Sequence, residues 1–390
     1  MADPKRYELR GVSASKSEVH QAIKGLDKGL YPLAFCKILP DIAARDESYV
    51  NIMHADTAGT KTSLAYMYWK ETGDISVWKG ITQDSIVMNL DDMACVGVTE
   101  GILLSSTIGR NKNLISGDVI KEIIQSTAQF CDVMSDHGLD IHLSGGETAD
   151  VGDIVRTIDV GFTAFARAKK SDLILNKISD GDVIVGLASY GQSSYEDAYN
   201  GGMGSNGLTS ARHDVFHKTY MSKYPDSFDH HTPEEVVYTG SKMLTDEIEI
   251  DGQKITLGKL VLSPTRTFLP VLKKVLDLHR SRISGIIHNT GGAHTKVKKF
   301  APGMKIIKDN LLPIPPLFKL IQAESGTTDE EMFQVFNMGT RLEIYTDEKS
   351  AADIIEISKS FNIDAQIIGR VEGAEVSEVQ VSHEGKVYKY

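Results

Sequence analysis

The chain is 390 residues long, 41% hydrophobic and 24% charged, with a net charge of −11 at pH 7. A chain of that length outgrows one hydrophobic core, and its composition excludes a disordered or fibrous polymer, so two packed domains are the default. The acidic balance, without a basic run, argues against nucleic acid or an anionic membrane as partner, and Cys36, Cys95 and Cys131 are too scattered for a disulfide framework or a zinc site, which suits a reducing cytoplasm.

The opening Met1-Ala2-Asp3-Pro4-Lys5-Arg6 is polar, and no apolar stretch approaches the roughly 20 residues of a bilayer span, so neither export nor membrane insertion is expected. Residues 49–55 read as a strand and 60–71 as a helix. At their junction the strand runs into Asp56, passes through Ala58 and Gly59, and opens the helix with Thr60 and Lys61. Helix N-terminal N–H groups attract anions, small residues allow close approach, Lys61 adds a point charge and Asp56 offers oxygens to magnesium. An ordinary capped turn has the same parts.

A second helix, over residues 81–96, carries Asp84, Asp91 and Asp92. At 100° per residue Asp84 and Asp91 lie about 20° apart and Asp92 about 80° from Asp84, with a rise of about 12 Å from Asp84 to Asp92, a span that could face a metal-bridged polyphosphate. Acids grouped this way need a cation between them. The plain alternative is a solvated face, which the surrounding Ile86-Val87-Met88-Asn89-Leu90 weakens. A third helix, 117–137, has a stripe of Ile120, Ile123, Ile124, Thr127, Phe130 and Met134 and a stop at Gly138. Leu143-Ser144-Gly145-Gly146-Glu147 is a strand leading into paired glycines and an acid, suited to close backbone approach and a further magnesium oxygen, or simply to a tight turn. Alternating Ile158, Val160, Phe162, Ala164 and Ala166 form a half-buried strand.

Residues 167–182 are rich in Lys, Asp and Ser, which places a boundary near 168 and gives domains 1–168 and 169–390. Beyond it, strands at 183–188, 283–288, 341–345 and 366–370 alternate with helices at 206–221, 265–279, 316–324 and 348–361. Residues 191–204 are glycine-dense and unpatterned, the signature of a long mobile loop that is either a lid or a surface insertion. Ile287-His288-Asn289-Thr290-Gly291-Gly292 is another strand end whose polar groups suit a nucleotide-sized substrate, although a lone histidine is usually structural. These strand ends, with no nucleophilic Ser or Cys beside a matched His, favour magnesium-dependent phosphoryl chemistry over acyl transfer.

Taken in order, the segments resemble the aminoimidazole ribonucleotide synthetase family, also called phosphoribosylformylglycinamidine cyclo-ligase. Tyr7 to Val12 is similar to its Tyr-x-x-Ala-Gly-Val opening, Asp56 to Lys61 to Asp-Gly-Val-Gly-Thr-Lys with two substitutions, and Asp84 to Gly97 to its Asp-x-x-x-Met-x-x-Asn-Asp helix with Asp91 in place of Asn. Gly145 to Ala149 matches Gly-Gly-Glu-Thr-Ala; Ser205-Asn206-Gly207, Pro264-Thr265-Arg266, His288 with Thr290-Gly291-Gly292, and Phe336-Asn337-Met338-Gly339 match later elements. Two departures stand out: Leu30 to Cys36 replaces a glycine-rich stretch, and Gly204 stands where the family has a histidine before Ser-Asn-Gly. Another residue then takes over the histidine's contacts, or the substrate differs.

The resemblance implies two mixed α/β domains. The first would join strands with a partner in a dimeric β-barrel, the second would be an α/β/α sandwich, and ATP and formylglycinamidine ribonucleotide would lie in the cleft between them. It implies Mg2+ at Asp56, Asp84, Asp92 and Glu147, ATP at Gly59, Thr60, Lys61, Asp84, Asp92, Gly145, Gly146 and Glu147, and substrate at Ser205, Asn206, His288, Thr290, Gly291 and Gly292, with Asp56, Lys61 and His288 catalytic. It also implies a cytoplasmic homodimer that closes an imidazole ring at the expense of ATP, without nucleic-acid or membrane partners. Rivals within the superfamily are the formylglycinamidine synthetase, selenophosphate synthetase and thiamine monophosphate kinase; outside it stands a nucleotide-binding scaffold without turnover.

Overall fold

A computed structural model of the chain describes residues 8–12, 21–22 and 24–390; Tyr7 and the polar segment 1–6 lie outside them. Among the described residues β1 (Ile38–Pro40), β2 (Tyr49–Thr57), β3 (Ile102–Arg110), β4 (Ile141–Asp150) and β5 (Ile158–Lys169) form a sheet in the order β1-β2-β5-β3-β4, antiparallel apart from the parallel pair β3/β4. The period-two pattern decides which face is covered: Val160, Phe162, Ala164 and Ala166 of β5 are buried. Helices α1 (Lys61–Thr72) and α2 (Val77–Ala94) pack against β5, and α3 (Gly117–Asp136) packs on α2 and β4. The opposite face leaves Met53 and Leu103 exposed, both in the cross-strand row of Phe165.

This sheet is open, which corrects the expected barrel. Its edges, β1 and β4, pair on one side only, and β1 is a three-residue strand ending at Pro40, too short to close a cylinder. What holds is two mixed α/β sheets rather than a closed one.

In α3 the apolar stripe buries Val119, Ile123, Phe130 and Met134, while Ile124 points outward, and Gly138 at φ +78° ends the helix. Helix α2 differs in having no exposed residue from Ile81 onward. Trp78, Ile81, Ile86, Val87, Leu90 and Met93 are buried, and so are Asp84, Asp91 and Asp92. It docks on the sheet through Ser85 Oγ donating to Val160 O at 2.7 Å and Asn89 Nδ2 donating to Phe162 O at 3.1 Å.

The second half begins with β6 (Val183–Ala188), includes a separate hairpin of β7 (Glu247–Ile250) and β8 (Gln253–Thr256), and adds β9 (Ile283–His288), β10 (Met304–Lys308), β11 (Thr340–Thr346), β12 (Ala365–Gly373), β13 (Glu378–His383) and β14 (Lys386–Lys389). All but the hairpin join a mixed sheet in the order β14-β13-β10-β12-β6-β11-β9. The helix expected over 206–221 is two, α4 (Leu208–Val215) and α5 (Thr219–Lys223), because Phe216 and His217 turn out to bridge Lys242 and Gly240. After α6 (Leu257–Val261), α7 (Leu269–His279) starts later than the expected 265, since Thr265, Thr267 and Phe268 are drawn off to bind carboxylates of α2. Helices α8 (Pro316–Ser325), α9 (Asp329–Val335) and α10 (Glu348–Ser360) follow, α10 packing on β6 and β12.

Residues 191–204 are irregular, as expected, but tied down rather than free. Gly191 bridges Asn200, Arg266 pairs with Glu196, Tyr195 Oη donates to Thr267 O at 2.7 Å, and Asn200 Nδ2 donates to Pro264 O at 2.8 Å.

Under the second sheet Glu343 is fully buried and held by Lys308, by Asn289 Nδ2 at 2.8 Å and by Tyr345 Oη at 2.7 Å. The Asn289 contact fixes the turn after β9. Lys308→Met would leave a buried carboxylate without its cation, a change that costs about 3–5 kcal/mol in such settings; urea unfolding should register the loss, and an unchanged midpoint would refute the pairing's importance.

Candidate active site between the two sheets

Strand β2 delivers Asp56, half-buried, with Oδ1 accepting the Thr57 N–H at 2.8 Å. The chain then turns through Gly59 at φ +60°, a left-handed conformation that suits glycine, and enters α1 at Lys61. Lys61 is fully buried. Its Nζ donates to Asp84 Oδ1 at 2.9 Å, to Ser263 O at 2.5 Å and to Gly204 O at 3.2 Å, so all three of its protons are spoken for. Burial lowers its pKa and Asp84 opposes the shift. Asp84 Oδ1 further accepts from Thr265 N at 2.7 Å and Thr265 Oγ1 at 2.6 Å, whereas Oδ2 is buried with no partner among the described residues. Ser205 Oγ lies 3.5 Å from Asp84 Oδ1. A buried carboxylate needs such partners, and two of the three residues that meet Asp84, Thr265 and Ser205, come from the second half of the chain.

About two turns further along α2, Asp92 meets a second set. His288 Nδ1 lies 2.7 Å from Asp92 Oδ1, and His54 Nε2 3.5 Å from Oδ2. On the far side of the imidazole, Arg341 Nε donates to His288 Nε2 at 3.0 Å. Because a guanidinium has no acceptor, Nε2 must be the bare nitrogen, and Nδ1 carries the proton given to Asp92. Burial, and then Arg341, press the His288 pKa down to about 4, so the ring is neutral at pH 7. Burial alone would raise Asp92; Lys296, His288 and His54 together hold it below the ordinary carboxylate value. Asp91 accepts from Thr267 Oγ1 at 2.7 Å and Phe268 N at 2.8 Å, yet burial pushes its pKa up to about 7.

The structure therefore joins Lys61, Asp84 and Ser205 in one cluster, and Asp92 and His288 in another. Asn206 reaches toward Gly291, and its Oδ1 is buried with no partner among the described residues. Gly292 at φ +92° starts the turn Ala293–Lys299, and Thr290 receives a hydrogen bond from Lys296. Asp56 and Glu147 do not share a face of the first sheet. Asp56 shares a cross-strand row with Phe162, Ser106 and Gly146, while Glu147 shares the next row with Thr107, Gly161 and Thr57. Adjoining rows point to opposite faces of a pleated sheet. Among the described residues no three His, Cys, Asp or Glu are grouped to hold a metal ion. Gly146 serves packing: a Cβ there would sit 2.1 Å from Ser106 Oγ, and Gly145, at φ +92°, precedes it.

Sequence reasoning missed Arg341 and Lys296. Both are long cations in buried settings, Arg341 on a strand between Thr340 and Leu342, and Lys296 stacked 4.4 Å from the Phe35 ring centre. An isolated charge inside an apolar strand was the available signal for Arg341. Cys36 is a buried thiol donating to Asp92 O at 3.1 Å, its pKa raised well above normal by burial, the opposite of an activated thiolate.

An acid-bearing helix buried between two mixed sheets, with every carboxylate answered from the second half, defines a class of two-sheet α/β protein, and comparison with known proteins gives that class its family. The profile described as AIR synthase related protein, N-terminal domain, matches residues 38–168, and that for the C-terminal domain matches 179–382. The chain belongs to the AIR synthase related family. It is similar to the phosphoribosylformylglycinamidine cyclo-ligase of Methanocaldococcus jannaschii, 31% identical over 330 residues that cover 83% of this chain and 78% of the relative. In fold it resembles a chain of the HypE–HypF complex (TM-score 0.56, 14% identity, 97% and 99% of the two chains) and phosphoribosylformylglycinamidine synthase II of Thermotoga maritima (TM-score 0.54, 11% identity, 100% and 51%). No helix among the described residues is long and apolar enough to cross a membrane.

Asp91 carries a pH signature. A carboxyl whose pKa is raised on folding binds its proton more tightly in the folded state, so its contribution is full below the ordinary carboxylate pKa of about 4 and is lost as pH climbs toward about 7. Asp91→Asn should flatten that decline. Urea unfolding in magnesium-free buffer at about pH 5 and about pH 7.5 checks it, and an unaltered slope would clear Asp91 of responsibility.

Proposed function

We propose that the chain is a phosphoribosylformylglycinamidine cyclo-ligase, a ligase of purine biosynthesis that converts formylglycinamidine ribonucleotide to aminoimidazole ribonucleotide with release of ADP and phosphate. The observation that carries this is the similarity to a cyclo-ligase across 83% of the chain, spanning both halves and both carboxylate clusters. The buried, high-pKa Cys36 thiol speaks against a selenophosphate-synthetase reading that needs a reactive cysteine.

In the reaction, the γ-phosphoryl of ATP passes to the formamide oxygen and ADP leaves. The phosphorylated oxygen is now a good leaving group. The amidine-side nitrogen attacks the adjacent carbon, the carbon–oxygen bond breaks, phosphate departs with the electron pair, and loss of a proton completes the imidazole. Magnesium supplies charge neutralisation at the phosphates. A magnesium ion carried by a nucleotide needs only one or two protein carboxylates, and Asp56, at the end of β2 on the helix-covered face and beside the start of α1, is the carboxylate we assign to it. The backbone of Gly59 and Thr60, at the start of α1, is assigned to the phosphates. Lys61 fixes Asp84 and the Gly204 carbonyl, and His288, neutral and hydrogen-bonded at both nitrogens, orients its neighbours at the reacting amide rather than moving a proton. Asn206, with an unpartnered buried oxygen beside Gly291, is placed to receive a donor from the ribonucleotide. A second copy of the chain, in the cytoplasm, would cover the exposed Met53 and Leu103.

The test is turnover. Purified protein with ATP, magnesium and formylglycinamidine ribonucleotide should yield the aminoimidazole product, and Asp56→Asn should lower kcat by about 100-fold, the usual cost of one transition-state electrostatic contact. Nucleotide binding without product would make the chain a scaffold; an unimpaired variant would remove Asp56 from its role.

A further inference from the structure

Gly204 stands where the family resemblance puts a histidine, and the space beyond its Cα is filled. A Cβ at Gly204 would lie 1.9 Å from Arg341 Nη1 and 2.7 Å from Arg341 Cζ. The guanidinium thus occupies the volume that any side chain at 204 needs. It arrives there by a bulge: β11 pairs regularly with β6 except between Thr340 and Leu342, where the register slips at Arg341. Bulges re-aim single side chains next to functional sites. The same stretch is locked to the glycine segment, since Asn337 Nδ2 donates to Gly202 O at 2.8 Å.

The guanidinium is almost wholly buried, yet it has no ion pair within contact distance among the described residues. Its Nε is used by His288 Nε2 and its Nη2 lies 3.4 Å from Met88 Sδ, a weak acceptor, while Nη1 has no acceptor among the described residues. Asp84, Asp91 and Asp92 attract it from beyond contact distance. Lys61, next to it across Gly204, has no proton left to offer. A buried cation with free, rigidly aimed donors is costly unless an anion completes it, and the planar fork matches phosphate oxygens.

We infer that Arg341 is the anion-binding and specificity-determining residue of the cleft, replacing the side chain absent at Gly204 and presenting Nη1 and Nη2 to a phosphate oxyanion. The inference rests on the cyclo-ligase reading for the identity of its ligands, which offer two sources of that oxyanion, the triphosphate of ATP and the 5-phosphate of the ribonucleotide. The Asp92–His288 pair holds the guanidinium in place.

The experiment titrates Mg-ATP and formylglycinamidine ribonucleotide separately into wild-type, Arg341→Ala, Arg341→Lys, Gly204→Ala and Gly204→Ala/Arg341→Ala proteins by calorimetry, and follows turnover in parallel. Arg341→Ala should weaken one ligand at least tenfold and slow turnover about 100-fold; the ligand affected names the source. Added guanidinium ion should restore part of the lost turnover in Arg341→Ala, a rescue that a purely structural role would not show, and Arg341→Lys should remain impaired. Gly204→Ala should resemble Arg341→Ala on its own, and in the Arg341→Ala background should add to the ligand affinities nothing beyond what the backbone strain of an alanine at φ +68° costs. Should Arg341→Ala fail to fold, as judged by circular dichroism, Gly204→Ala carries the test. Binding of both ligands within threefold of wild type in the folded variants would overturn the inference. Binding without product formation by the wild type would sink only the cyclo-ligase assignment, and a wild type that bound neither ligand would overturn both.

Discussion

Three carboxylates on one helix, all out of water, set the terms for everything around them. An ionised carboxylate in an apolar interior is tolerated only with hydrogen bonds or a cation. Asp84 takes Lys61 and Thr265, Asp91 takes Thr267 and the Phe268 N–H, and Asp92 takes His288. The segment 263–268 is therefore an electrostatic seam between the two sheets: alternate residues reach α2, and Arg266, turned the other way, gathers Ala188 O at 3.0 Å, Gly191 O at 3.0 Å and Glu196. Helix α2, the seam and the 191–204 segment form one polar framework on which the cleft is built.

The positive charge in that framework is distributed unevenly. Lys61 is saturated by its protein partners, and Lys308 serves Glu343 under the second sheet. Arg341 keeps a whole nitrogen, Nη1, without an acceptor among the described residues, and it sits where the chain lacks a side chain at 204. Two positions far apart in sequence have in effect exchanged bulk, a trade that is visible only once β11 and the glycine segment are seen side by side.

Short continuous apolar runs were legible as buried strands: the spans 183–188 and 283–288 coincide with β6 and β9, and the α3 stripe was right in phase apart from Ile124. The burial of α2 was hinted at by Ile86 to Leu90, but the identity of each acid's partner was not, because Thr265, Thr267 and His288 lie far along the chain and no local pattern records them. The openness of the first sheet was also hidden, since strand order and the shortness of β1 depend on pairings that hydrophobic periodicity does not encode. Register likewise decided that Asp56 and Glu147 face opposite ways, although both had read simply as acids at strand ends. The start of α7 was misjudged for an energetic reason, the demand of α2 for donors outweighing local helix propensity over 265–268.

Helix α2 also bears on how the chain comes off the ribosome. The first sheet and its helices emerge early, but the groups of the second half that hydrogen-bond Asp84, Asp91 and Asp92 are translated much later. Until then the nascent first half must keep that helix wet or protonated, and its native core has to wait for residues 263–268 and His288 to appear. Completion of the early half is thus timed by synthesis of the late one, and a truncated product would be marked for quality control by the acids it could not bury.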